Sequence, residues 1–304
     1  MKKILGLFLV ILLTVSGYSQ TAHYYYNSGV KKAITDNDYK GAIDDYTKAI
    51  ELDSTYSKAY YNRGNAKVKL GNYFGAFSDF TIAINLKPDF SEAYNNRGCA
   101  KVELGDDYGA IEDFTKAIEL NPLYEMAYYS RGESEKTVRD YISAIADFTK
   151  VIQLNHKNID AYFSRGNTKG FVQDFEGAIS DFTIYIEANS MNKSAYYLRG
   201  LARSNISDYV NAIADYNKAI EIDPKNAVYY FRRGNAKASL KDQYGAIMDY
   251  NMAIQINPKD APSYCMRGVA KCILEQKENG CLDISKAGEL GFNEAYDAIK
   301  IFCQ

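Results

Sequence analysis

Five cysteines and two histidines are the side chains best suited to bond-making chemistry, and their spacing narrows what they can do. Cys99 stands alone, while Cys265, Cys272, Cys281 and Cys303 crowd into the last 40 residues. No pair has Cys-x-x-Cys spacing and no Cys/His set has metal-ligand spacing, with His23 and His156 the only histidines, so no metal site is expected. Cys265 and Cys272 lie two turns apart along one helix, too far to bond each other. In an oxidising setting one or two disulfides can form here, and Cys281 with Cys303 is the pair that would pin a terminal helix to the segment before it. The alternative is that all five are small buried apolar residues. The chain has no Gly-rich phosphate loop and no Ser/His/Asp set, so the sole route to catalysis is a reactive thiol at Cys99. The expectation is no catalytic residue, no cofactor and no metal.

A second set of charged residues recurs too often to be an active site. Arg stands at 63, 97, 131, 165, 199, 233 and 267, each followed at once by Gly. Asp79, Asp113, Asp147, Asp181, Asp215, Asp249 and Asp283 follow in step, with Asp45 serving the first unit. Seven occurrences at equal spacing indicate structure. A guanidinium fork can hold a carboxylate through two bonds, so the pairs Arg63/Asp79, Arg97/Asp113, Arg131/Asp147, Arg165/Asp181, Arg199/Asp215 and Arg233/Asp249 are expected to bridge helices as an ion-pair ladder.

The elements that would position these residues are legible from the same 34-residue period, which runs from Gly64 to Gly268 without insertion. Tyr60, Tyr94, Tyr128, Tyr162, Tyr196, Tyr230 and Tyr264 precede each Gly by one helical turn. Ala76, Phe80, Ala83 and Ile84 fall on one face of a helix, and the set repeats down the chain. Gly within a helix costs ~1 kcal/mol relative to Ala, so its recurrence implies close helix approach. Asp38, Asn72, Asp106, Asp140, Asp174, Asp208 and Asp242 are expected to cap the second helix of each unit. Pro88, Pro122, Pro224 and Pro258 end four units. Each unit is then a helix hairpin that must stack on its neighbours to hide its apolar stripe. The 28 Tyr are largely accounted for by this pattern.

The aromatic, Gly, Ala, aromatic, Ala and Pro positions at this period resemble the tetratricopeptide repeat. The resemblance covers residues 22–290 as eight units, the last degenerate, with residues 291–304 as a capping helix carrying Ala295, Ala298, Ile299 and Phe302 on one face. It implies an all-α, right-handed superhelical solenoid. Two positions depart from the family pattern. Arg replaces the large apolar residue before the Gly, and Lys67, Lys101, Lys169, Arg203, Lys237 and Lys271 replace the aromatic three residues after it.

In the resembled family the first helix of each unit lines a concave groove that receives peptides or partner proteins. The matching positions here include Tyr61, Asn65, Asn95, Tyr129, Phe163, Asn167, Tyr197, Phe231 and Asn235. Flat rings offer contact area and Asn can bond backbone amides, so a protein or an extended peptide is the expected partner of a non-enzymatic scaffold or adaptor. The alternatives are a structural spacer or self-assembling rod and, more remotely, a thiol-dependent enzyme.

Composition agrees with a folded chain: 47% of residues are hydrophobic and 24% charged. With 36 basic and 38 acidic residues and no basic stripe, no nucleic-acid partner is expected. Met1-Lys2-Lys3, the apolar run from Ile4 to Val15, and Gly17-Tyr18-Ser19 read as a signal peptide over residues 1–19. Cleavage near Ser19/Gln20 would export the protein to the periplasm or medium, with no transmembrane segment thereafter; retention as an anchor is the alternative.

Overall fold

The structure, a computed structural model, describes residues 21–303. The proposed signal peptide and its cleavage point lie outside the described residues. Helix and turn account for the regular structure, with no strand among the described residues. No described helix is long and apolar enough to cross a membrane.

The chain divides into two compact units, at His156 and Lys157. The first holds four hairpins: α1 (21–34) with α2 (Tyr39–Leu52), α3 (Ser57–Lys69) with α4 (Tyr73–Leu86), α5 (Ser91–Glu103) with α6 (Asp107–Leu120), and α7 (Glu125–Thr137) with α8 (Tyr141–Leu154). The second holds α9 (Ile159–Phe171) with α10 (Phe175–Ala188), α11 (Lys193–Asn205) with α12 (Tyr209–Ile222), α13 (Ala227–Ser239) with α14 (Gln243–Ile256), and α15 (Ala261–Ile273) with α16 (Lys277–Glu289). The final helix α17 (Glu294–Phe302) packs on α15 and α16. Within each unit every helix from α2 on packs on the next in sequence, and Val30 and Ala33 of α1 pack against Ala42 and Tyr46 of α2.

Local chemistry sets the hairpin ends. Each residue expected to cap a second helix sits at its N-cap, its side-chain oxygen accepting from the backbone N–H three residues on, as Asp106 does from Gly109 at 2.9 Å. The residue before each cap adopts left-handed backbone. Gly71 and Gly105 take it freely, whereas Asn37, Arg139, Gln173, Ser207 and Lys241 do so at a steric cost.

The repeated Gly makes room for a ring. A Cβ on Gly64, Gly98, Gly200 or Gly234 would meet Phe80, Phe114, Tyr216 or Tyr250 at 2.7 Å. The expectation of close helix approach therefore holds in a modified form: the core aromatic of the second helix fills the space that a side chain at the glycine would take. The core is these rings plus fully buried alanines such as Ala76, Ala83, Ala110, Ala117, Ala212 and Ala219.

Candidate functional site

The charged residues form a repeating rung. Arg63 donates from Nε and Nη2 to the two carboxylate oxygens of Asp79, at 3.0 and 2.8 Å. The same two-bond grip joins Arg97 to Asp113, Arg131 to Asp147, Arg165 to Asp181, Arg233 to Asp249 and Arg267 to Asp283; Arg199 grips Asp215 with Nε shared between both oxygens. Each Asp is buried. Each guanidinium also lies over the Tyr one turn before it, 5.2 to 5.7 Å from the ring centroid.

The rung closes within one hairpin, first helix to second. The link between hairpins is a different bond. The remaining nitrogen, Nη1, reaches back to the preceding hairpin: Arg63 to Thr47 at 3.1 Å, Arg131 to Thr115 at 3.0 Å, Arg199 to Thr183 at 3.0 Å, Arg233 to Asn217 at 2.6 Å and Arg267 to Asn251 at 2.7 Å. The basic residue three after the Gly adds a second cation to the same Asp, as Lys67 does to Asp79 at 2.7 Å and Arg203 to Asp215 at 2.7 Å. Lys101 also donates to the Gly109 carbonyl at 2.9 Å. This explains both departures from the family pattern: two apolar positions have been exchanged for the cations of a buried carboxylate.

One rung differs. Glu135 occupies the second-cation position on α7 and is buried, with one oxygen lacking a hydrogen-bond partner. Burial first, then repulsion by Asp147, pushes its carboxyl up to about 8, against the pull of Arg131.

Four grooves recur in one register, each between the first helices of successive hairpins. The groove between α1 and α3 is about 270 Å³, that between α5 and α7 about 340 Å³, that between α9 and α11 about 220 Å³, and that between α11 and α13 about 160 Å³. Counted from the repeat Gly, the walls come from one, four and five residues after it on one helix. The next helix supplies two before, one after, two after and five after. The floor is the core aromatic: Tyr46, Phe114, Phe182 or Tyr216.

Of the residues singled out from sequence, Asn65, Asn167, Asn235 and Tyr129 line these grooves. The other aromatics are spent on packing. Tyr61 lies on Phe80 and Phe90, with centroids 5.9 and 4.7 Å away; Phe163 lies on Phe182 and Tyr185, Tyr197 on Tyr216 and Tyr229, and Phe231 on Tyr250. Asn95 is a correction. It is fully buried, its amide nitrogen donating to Asn96 at 3.0 Å and its oxygen without a partner. A short side chain at this register drops into the packed layer, where the longer rings reach its rim. Asn96 instead ties adjacent first helices together, donating to the Tyr61 hydroxyl at 3.1 Å and to Asn65 at 2.8 Å.

The residues missed are those two before and four and five after the Gly: Asn62, Ser130, Leu198 and Arg232, then Ala33, Val102, Gly170 and Ser204, then Ile34, Glu103, Phe171 and Asn205. A signal for them exists. They change chemical type from one repeat to the next, while the core positions hold constant.

Groove chemistry varies accordingly. Glu103, Asp107 and Glu133 make the α5–α7 groove acidic. The α9–α11 groove is apolar, lined by Phe171, Phe175, Leu198 and Leu201 around Gly170, where a Cβ would meet nothing within 4 Å. The α11–α13 groove carries Arg232 among Ser204, Asn205 and Asn235. Cys99 opens on the acidic groove, but burial and Glu103 push its thiol up, against a bond with Ser130. That direction is opposite to the lowered value of an activated thiol.

Cys281 and Cys303 are joined as a disulfide, their Cα atoms 5.7 Å apart. Cys99, Cys265 and Cys272 are free.

Serial helix hairpins with this register define a helical-repeat protein. Three family models match: one described as TPR repeat over residues 36–71, and two described as Tetratricopeptide repeat over 91–122 and 194–226. The chain is a tetratricopeptide-repeat protein. No curated protein matches it. Among solved structures it is similar to the C-terminal part of a TPR repeat-containing protein from Cytophaga hutchinsonii, at 19% identity and a TM-score of 0.66 over 79% of this chain and 99% of that one. It is similar to MamA, at 27% identity and a TM-score of 0.52 over 55% and 91%. It is also similar to YrrB, described as a TPR protein with an unusual peptide-binding site, at 22% identity and a TM-score of 0.57 over 60% and 95%.

Proposed function

We propose that this protein is a non-enzymatic scaffold or adaptor that binds a protein or an extended peptide along the grooves of its first helices. The observation that carries this reading is the set of four grooves in one register, floored by the same aromatic yet walled by residues of different chemistry. Within each unit, a repeating backbone with variable walls suits recognition of successive side chains of a chain-like ligand. The acidic groove fits a Lys or Arg side chain, the apolar groove a Leu- or Phe-like one, and the Arg232 groove a carboxylate or amide. The peptide-binding site named for YrrB supports the class of partner. The export signal read at residues 1–19 and the Cys281–Cys303 disulfide support a role in the cell envelope or outside the cell.

Selection of a displayed random-peptide library against the full chain tests this. Enriched peptides are expected to bind wild type and to lose at least about tenfold in affinity against Leu201→Glu or Glu133→Lys, a cost of ~1.4 kcal/mol or more. No enrichment, or enriched peptides indifferent to both substitutions, would remove the groove reading.

A further inference from the structure

The last hairpin departs from its siblings at positions that meet in space. It has Gly280 where the seven preceding hairpins have Ala, and Cys281 where they have Phe77 or Ile. Four residues after its repeat Gly stands Cys272, at a position held elsewhere by Ala, Val, Lys, Gly or Ser. These changes act together. A Cβ on Gly280 would collide with the sulfur of Cys272 and come within 2.7 Å of the Gly268 carbonyl oxygen. Its absence lets α15 and α16 touch backbone to backbone and seats the Cys272 sulfur against α16 beside Cys281. The helix α17 then delivers Cys303. The sulfurs of Cys272, Cys281 and Cys303 lie within 4.8 Å of one another, though only the latter two are bonded. All three are half-buried, within reach of small thiols, whereas Cys265 is buried in the core of the hairpin.

A free thiol beside a disulfide is the arrangement from which exchange proceeds. We propose that these three sulfurs form an intramolecular thiol–disulfide exchange site that detaches the terminal helix. The Cys272 thiolate attacks the sulfur of Cys281. A Cys272–Cys281 bond forms as the Cys281–Cys303 bond breaks, and the electron pair leaves on the Cys303 sulfur, which takes up a proton. One disulfide and one thiol are present before and after, so no oxidant or reductant is consumed. The two isomers differ in what holds α17. In one it is covalently tied. In the other it rests only on apolar contacts of Ala295, Ala298, Ile299 and Phe302 with the layer containing Cys265, Ile284 and Ala287. Ala295 is the sole fully covered residue of α17, so these contacts alone hold the helix weakly and the end face of the stack becomes available.

Disulfide mapping tests the site. The full chain is equilibrated in mixtures of reduced and oxidised glutathione at pH 8.5, quenched with acid, alkylated and mapped by tandem mass spectrometry. Two isomers are expected, Cys281–Cys303 and Cys272–Cys281, with α17 cut faster by protease in the second. Cys272→Ser should abolish the second isomer. At oxidising ratios, Cys303→Ser should let oxidised glutathione convert Cys272 and Cys281 to a disulfide in nearly every molecule, with two reduced glutathiones released. Cys281–Cys303 as the single intramolecular bond of wild type at every glutathione ratio would overturn the proposal, as would a glutathione adduct at Cys272 with no Cys272–Cys281 bond. Wild-type mapping decides the matter even where a variant fails to fold.

Discussion

The Glu135 carboxyl lies 3.7 Å from Nε of Arg131, one turn back on α7, on a guanidinium already gripped by Asp147. Elsewhere in the array the residue at this register is a cation that joins the Asp; here it is a second acid. The site accommodates it by keeping it protonated.

That protonation has a signed consequence. The folded-state value, near 8, lies above the 4.5 of an unhindered carboxyl. Between those limits the folded protein holds a proton that the unfolded chain has lost, so stability falls as pH rises through that window. Glu135→Gln should match wild type at pH 4 and exceed it by about 1–3 kcal/mol at pH 9. Urea denaturation across pH checks this; parallel pH profiles for the two proteins would refute it.

The rung itself predicts an asymmetry. Asp113→Asn leaves Arg97 and Lys101 facing a neutral group in a largely buried site. The expected cost is about 2–4 kcal/mol. Replacing Arg97 and Lys101 with Met and Asp113 with Leu together should cost less than Asp113→Asn, since no uncompensated charge remains. Equal losses in chemical denaturation would show that the pairing contributes nothing specific.

Two glycines should respond in opposite directions. Gly64→Ala forces a methyl to within 2.7 Å of the Phe80 ring and should destabilise by about 1–3 kcal/mol. Gly170→Ala places its methyl in open space and should stabilise by up to ~1 kcal/mol through helix propensity. The same methyl intrudes on the α9–α11 groove, so any peptide that uses it should bind more weakly. Thermal melts of the two variants separate these effects.

The left-handed turn residues offer a stabilising change. Lys241 has φ of 65° at a position where Gly71 and Gly105 stand in the second and third hairpins. Lys241→Gly relieves a steric cost of ~1–2 kcal/mol, less the added freedom of glycine in the unfolded chain. A net gain of about 0.5–1 kcal/mol is expected in the denaturation midpoint, and a loss would contradict it.

The period carried most of the architecture. Hairpin stacking, caps, the buried aromatics and the constancy of the Arg and Asp were legible because they are fixed by hydrophobic spacing and by charge, which repeat with the chain. What the period could not show was direction and depth. Counting residues said that Arg63 and Asp79 belong together, but not that the bond closes within a hairpin while Thr47 supplies the link to the one before. It could not separate Asn65, on a groove wall, from Asn95, sealed in the layer. Nor could it show that three cysteines meet, since Cys272 and Cys281 lie on two helices and Cys303 caps the end of a third. Periodicity fixes which face a side chain is on; how far its neighbours cover it depends on packing between helices, and that is settled only when the hairpins are stacked.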